Sequence, residues 1–118
     1  MTRRLPRHTL RQQLEQTADL YLDGCYERTT AARCGEYAQY IELTHQHLAR
    51  RVSELGMSLR DFLRSRQLLY AERLLRTTSY STVQIAAMSA FGTPPTFYRA
   101  FKAAYGMTPG EYRKKVPK

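Results

Sequence analysis

Two short stretches of the chain concentrate side chains suited to hydrogen-bonding a polyanion. In "THQHLARRV", residues 44 to 52, His45, Gln46, His47 and Arg50 stand close together, and "TPPTFYRAFK", residues 93 to 102, carries Pro95, Thr96, Arg99 and Lys102. On a wheel of 3.6 residues per turn, Leu48, Val52 and Leu55 gather on one side of the first stretch. Gln46, Arg50 and Ser53 point away from it, flanked by His47. In the second stretch Phe97, Phe101, Ala104 and Tyr105 form the apolar side, and Pro95, Thr96, Arg99 and Lys102 point away. An outward arginine binds guanine through two parallel hydrogen bonds or clamps a phosphate, and amide groups reach base edges in the same way. His45 and His47, two residues apart on a helix, do not converge on one metal ion, and the expectation is a site without metal or cofactor.

Such side chains must be held by helices. Hydroxyl caps followed three residues later by an acid or amide recur at Thr9/Gln12, Ser58/Asp61, Ser81/Gln84 and Thr108/Glu111, each marking a helix start. No stretch alternates apolar and polar residues for long, so the fold class expected is all-α, with about seven helices. The first runs from about Leu10 to Asp23, with Leu10, Leu14, Ala18, Tyr21 and Leu22 along one side and Gly24 ending it. A second starts near Thr30. A third follows Thr44 as N-cap and ends at Gly56; a fourth, the longest, continues for roughly twenty residues from Ser58, or about 30 Å. "STVQIAAMSAF", the proline-led segment and a closing helix from Pro109 complete the set. Pro94 and Pro95 start a helix instead of breaking it when Thr93 is the N-cap, because first-turn N–H groups have no partner within the helix.

The chain repeats itself. L-x-R-x-V at Leu48 matches F-x-R-x-F at Phe97, "GMSLRDF" echoes "GMTPGEY", and each recognition stretch follows a short helix with an alanine near its middle, Ala38 or Ala86. A short helix, a tight turn and a second helix with an apolar back and an arginine-bearing front is a helix-turn-helix unit, whose second helix fits the DNA major groove. The expected organisation is one domain, residues 1 to 118: a first helix-turn-helix subdomain over about 9–57, a linker helix over 58–78 and a second subdomain over 79–118. A connecting helix of about 30 Å suits two units that enter successive major-groove segments about 34 Å apart.

Charge agrees with that partner. Nineteen Lys and Arg against ten Asp and Glu give a net charge of +9, and from Arg60 onward eleven basic residues face only three acids. Cys25 and Cys34 form no C-x-x-C pair, which argues against a zinc site or disulfide framework and favours packed thiols in a reducing cytoplasm. The start "MTRRLPRHTL" has no apolar core of a signal peptide, and no apolar run approaches the ~20 residues of a membrane span, so no membrane partner is expected. Leu48, Phe97, Phe101, Phe62 and the Leu68, Leu69, Leu74, Leu75 cluster are assigned to the core. Arg66 is read as pairing with a carboxylate or a phosphate, and Lys114, Lys115 and Lys118 as a solvated tail or as phosphate contacts.

The segment "STVQIAAMSAFGTPPTFYRAFKAAYGMTPGEYR" resembles the signature of the AraC/XylS family of bacterial transcription regulators, with Ile85, Ala86, Phe91, Phe97, Arg99, Phe101, Lys102, Gly106, Thr108, Pro109, Tyr112 and Arg113 matching. Arg66, Ala71, Leu74 and Leu75 fit that family's linker helix. The resemblance covers about Thr30 to Lys114. It implies sequence-specific binding of double-stranded DNA through His45, Gln46, His47 and Arg50 in the first unit and Pro95, Thr96 and Arg99 in the second. Ala49 also falls at a contacting position. It further implies a non-enzymatic cytoplasmic regulator associated with the nucleoid, monomeric in isolation, with RNA polymerase as a further candidate partner. Glu42 and Ala90 replace the family's turn glycine, the first recognition stretch is one residue shorter than the second, and Pro95 stands where serine is common. Residues 1 to 30 are too few for the sensing domain of larger members, so the chain is either a compact regulator or the DNA-binding part of a longer one. The other classes considered are a DNA-repair protein acting through Cys25 or Cys34 and a protein-interaction module using the same fold.

Overall fold

The computed structural model describes residues 7–116, and among them the secondary structure is entirely helical: α1 (Arg7–Arg28), α2 (Cys34–Tyr40), α3 (His45–Ser53), α4 (Leu59–Thr77), α5 (Thr82–Met88), α6 (Pro94–Tyr105) and α7 (Pro109–Lys115). Lys118 and the start of the chain before Arg7 lie outside the described residues. Hydroxyl caps set five of the helix starts: Thr44, Ser58, Ser81, Thr93 and Thr108 each accept a backbone N–H three residues on. Both halves of the reciprocal box form at Ser81/Gln84 and Thr108/Glu111.

Two expectations fail in α1. Thr9 is not its N-cap, because the helix already includes Arg7, and Gly24 does not end it. The helix continues because Cys25, fully buried, extends the stripe of Leu10, Leu14, Ala18, Tyr21 and Leu22, and that burial outweighs a glycine's cost of about 1 kcal/mol. What stops α1 is Thr29 at φ 55, where Thr29 N–H reaches the Tyr26 carbonyl at 3.2 Å and Thr30 N–H reaches Cys25 at 3.0 Å. The next helix then starts at Cys34 instead of Thr30. Arg33 is extended, and its N–H donates to the Tyr21 hydroxyl at 3.0 Å, which holds residues 30–33 as a strap across the molecule.

Two apolar clusters form along α4. Leu59, Phe62 and Leu63 at its start pack with residues of α1, α2 and α3, including Tyr37, Leu48 and Val52. Leu68, Ala71, Leu74 and Leu75 further along pack with Ile85, Ala86, Phe91, Phe97, Ala100 and Phe101. Leu69 was expected in this core but is 51% exposed, facing outward between its buried neighbours. Ala104 is likewise exposed, and Ala100 takes the buried position on α6. With 19 residues, α4 spans about 28 Å of a molecule 52 Å in its longest dimension.

Side chains from the far ends of the chain lock these parts. The Arg66 guanidinium grips Asp19 through Nε and Nη2 at 3.0 and 2.8 Å and reaches Glu15 at 3.3 Å, tying α4 to α1. Arg113 of α7 donates to the carbonyls of Leu75 and Thr78, acceptors left open at the end of α4, and to that of Tyr80 in the loop beyond. Tyr112 donates to Glu72 at 2.8 Å, and Glu72 in turn pairs with Arg76.

Candidate nucleic-acid interface

The first recognition unit is α2, a turn and α3. The α2 helix closes with Glu42 at φ 59, whose N–H reaches Gln39 at 3.0 Å while Leu43 N–H reaches back to Ala38 at 2.9 Å. This is the position where glycine is replaced, and the left-handed conformation is kept without it. Thr44 then starts α3 by accepting from His47 N–H at 3.0 Å. Leu48 and Val52 are fully buried, so the helix lies flat on the first core, and His45, Gln46, His47 and Arg50 are all exposed. Ala49 is half-buried.

The second unit, α5, a turn and α6, repeats the device. Ala90 takes φ 64, with Ala90 N–H to Ala87 at 3.4 Å and Phe91 N–H to Ala86 at 3.3 Å. Gly92 adds a residue with φ 84 that has no counterpart in the first turn. Thr93 caps α6, and Pro94 and Pro95 occupy its first two positions as the cap requires. Phe97 and Phe101 are fully buried; Pro95, Arg99 and Lys102 are exposed, and Thr96 is half-buried. The Thr96 hydroxyl lies 2.9 Å from that of Thr93, so it is partly committed to the cap.

The missing residue in the first unit is absorbed at the end of α3. There Glu54, Leu55 and Gly56 each donate to the carbonyl three residues back, a tightened turn, before Gly56 takes φ 84. In α6 the corresponding Gly106 donates four residues back to Lys102 at 2.8 Å and takes φ 76. The first turns of the two helices, which carry most of the candidate residues, are unaffected by this difference.

Electrostatics sort the basic residues. Arg66, Arg76 and Arg113 are engaged by carboxylates or carbonyls, whereas among the described residues neither Arg50 nor Arg99 enters an ion pair. Arg60 and Arg64 of α4 were not among the candidates the sequence pointed to. Partial burial first, and then repulsion from Arg60 and Arg99, holds the Arg64 guanidinium below its ordinary pKa. Their i, i+4 spacing was the available signal. Burial pushes the Cys34 thiol up, against the opposing pull of Arg60 and Arg64. Lys102 lies near Glu111, whose carboxyl is held low first by the Thr108 backbone N–H and then by its cap, with Lys102 and Lys114 adding to the effect.

Residues 37–115 match a family model described as a helix-turn-helix domain. Over 79 residues the chain is 33% identical to the transcriptional activator AarP of Providencia stuartii, covering 66% of this chain and 58% of that protein. Its fold is similar to the C-terminal domain of AraT, a response regulator from Geobacillus stearothermophilus, with a TM-score of 0.77 at 22% identity over 98% of this chain and 91% of that one. It is also similar to the DNA-binding domain of AdpA, solved with a target DNA, with a TM-score of 0.70 at 23% identity over 84% and 91%. The chain spans 58%, 33% and 41% of the lengths of three curated regulators it matches. With two capped helix-turn-helix units on one linker helix and a family match across both, the chain belongs to the AraC-type helix-turn-helix family of transcription regulators.

Proposed function

We propose that the chain is a sequence-specific regulator of transcription that inserts α3 and α6 into successive major-groove segments of double-stranded DNA. The observation that carries this is the paired construction: each helix is seated by two fully buried residues, Leu48 and Val52 or Phe97 and Phe101, and exposes its candidate base-reading residues. His45, Gln46, His47 and Arg50 read the first segment, and Pro95, Thr96, Arg99 and Lys102 meet the second. Arg50 and Gln46 carry most of the hydrogen-bonded discrimination. Pro95 has no donor and offers apolar contact, suited to a thymine methyl. Arg60 and Arg64 contact phosphates between the two segments. The chain does this without enzymatic chemistry, as a monomer on DNA in the nucleoid, with RNA polymerase as a partner once bound.

Quantitative binding to duplexes selected from a random pool tests this reading. Arg50→Ala relaxes base preference at one position, whereas Lys114→Ala weakens every sequence alike and reduces the dependence of log affinity on log salt by about one ion. Equal affinity for unrelated duplexes would end the sequence-specific reading. The lengths of the matched relatives favour a second arrangement, in which the same unit is the DNA-binding part of a larger regulator; the role of α3 and α6 is the same in both.

A further inference from the structure

The two recognition units are joined by more than α4. The turn of the second unit is docked on the first subdomain: Ala90 is only 2% exposed and packs in the cluster of Leu48, Tyr37 and Phe62, not in that of Phe97. Its carbonyl accepts two hydrogen bonds, one from Ala32 N–H of the 30–33 strap and one from Gln67 Nε2 of α4, both at 3.0 Å. Gln67 is itself buried and also donates to the Ser89 carbonyl at 3.1 Å. Gly92 completes the contact, since a side chain there would begin 3.4 Å from the Ala31 methyl.

From these contacts we infer that Gln67 and the strap are positioning elements that fix the setting of α6 relative to α3, and thereby fix the operator spacing the protein accepts. This rests on the proposed insertion of both helices into DNA. A single helix linking two units bends and twists under load, and α4 alone would let α6 follow operators of different spacing. A turn held from two directions on one carbonyl does not. Adding one base pair between the two contacted segments moves the second by about 3.4 Å and turns it by about 34°. A rigid pair of helices cannot meet both segments after that change; a loosened pair can. Among the described residues, no hydrogen bond joins Gln67 or the strap to the exposed residues of α3 or α6, so they act on spacing and not on base identity.

The test uses duplexes selected from a random pool and their derivatives with one base pair inserted or removed between the two preferred segments. Wild-type protein loses about tenfold or more in affinity on either change, a penalty of the size of one or two mismatches. Gln67→Met keeps the buried volume and removes the donor; it narrows that loss to about threefold or less while affinity for random duplex stays within about twofold. Ala32→Pro, which removes the other donor to the same carbonyl, shows the same narrowing should Gln67→Met fold poorly. Residual dipolar couplings of the free protein give a second readout: α3 and α6 fit one alignment frame in wild type and two in the variants. A folded variant that fits one frame and remains as sensitive to spacing as wild type overturns the inference. If the pool yields no preferred sequence, the groove-insertion reading has failed and takes the spacing claim with it. That failure is distinguishable, because the couplings still report whether the strap holds the two helices together.

Discussion

Helix α3 is seated by aliphatic residues and faces outward with polar ones; α6 is seated by aromatics and faces outward with Pro95 beside Arg99 and Lys102. Under α3 lie Leu48 and Val52, while under α6 Phe97 sits within 6 Å, ring to ring, of Phe91, Tyr98 and Phe101, and Phe101 continues the contact to Tyr105 and Tyr112. The backbone devices are nearly the same: a left-handed non-glycine turn, a threonine cap and a helix closed near a positive-φ glycine. On the proposed reading, a repeated scaffold divides its labour. The second unit has the larger ring cluster and additional anchorage through α7. The first offers the side chains best able to distinguish bases.

The largest test of that division is in the cores. Phe97→Ala removes the centre of the aromatic cluster and costs about 4 kcal/mol in urea unfolding, against about 3 kcal/mol for Leu48→Ala. A smaller loss at Phe97 would show that the second core is not the firmer one.

Next in size is base reading. Gln46→Ala and Arg50→Ala each lower discrimination at the first segment by about 1–3 kcal/mol, measured as affinity ratios between matched and mismatched duplexes. Pro95→Gln supplies the donor and acceptor the second helix lacks there and raises its discrimination. No change with Arg50 and Gln46 replaced would erase the proposed division.

The two turns give a finer contrast. Glu42 is exposed at φ 59, so Glu42→Gly relieves a strained backbone and raises stability by about 1 kcal/mol. Ala90 has nearly the same φ but a buried methyl group, and Ala90→Gly loses that packing as it relieves the strain, leaving thermal stability nearly unchanged.

The smallest effect expected is acid sensitivity near α7. Arg76 and then Tyr112 hold the Glu72 carboxyl below the usual carboxylate range. The stabilisation is therefore present above that range and is lost as the pH falls through the lowered folded-state pKa. Glu72→Gln flattens this part of the acid limb of a thermal-melting series; an unchanged limb would show that the α4–α7 link does not depend on charge.

Much of the site was legible in the sequence because it is built from local rules. Thr44, Thr93 and the two prolines announced the helix starts, and the period of Leu48 and Val52 or Phe97 and Phe101 separated the seated side from the exposed one. Where the rules ran short, tertiary contacts decided. Gly24 resembled a stop, but burial of Cys25 carried α1 onward to a stop at Thr29, a residue with no glycine signal. Residues 30–33 were expected to be helical, but are drawn out by bonds to Tyr21 and Ala90 whose partners are distant in sequence. Leu69 and Ala104 have core-like types and fall on the wrong side of their helices, which periodicity resolves only when the helix phase is known. The repulsion between Arg64 and Arg99 required the packing of α4 on α6.

The most direct measurement of the central claim is selection of bound sites from a random duplex pool, followed by affinity for each enriched site and its point variants. The account predicts two preferred segments centred about one helical turn apart, with the segment lost on Arg50→Ala specified more sharply than the one altered by Pro95→Gln. A single preferred segment, or a pool that shows no enrichment, would contradict it.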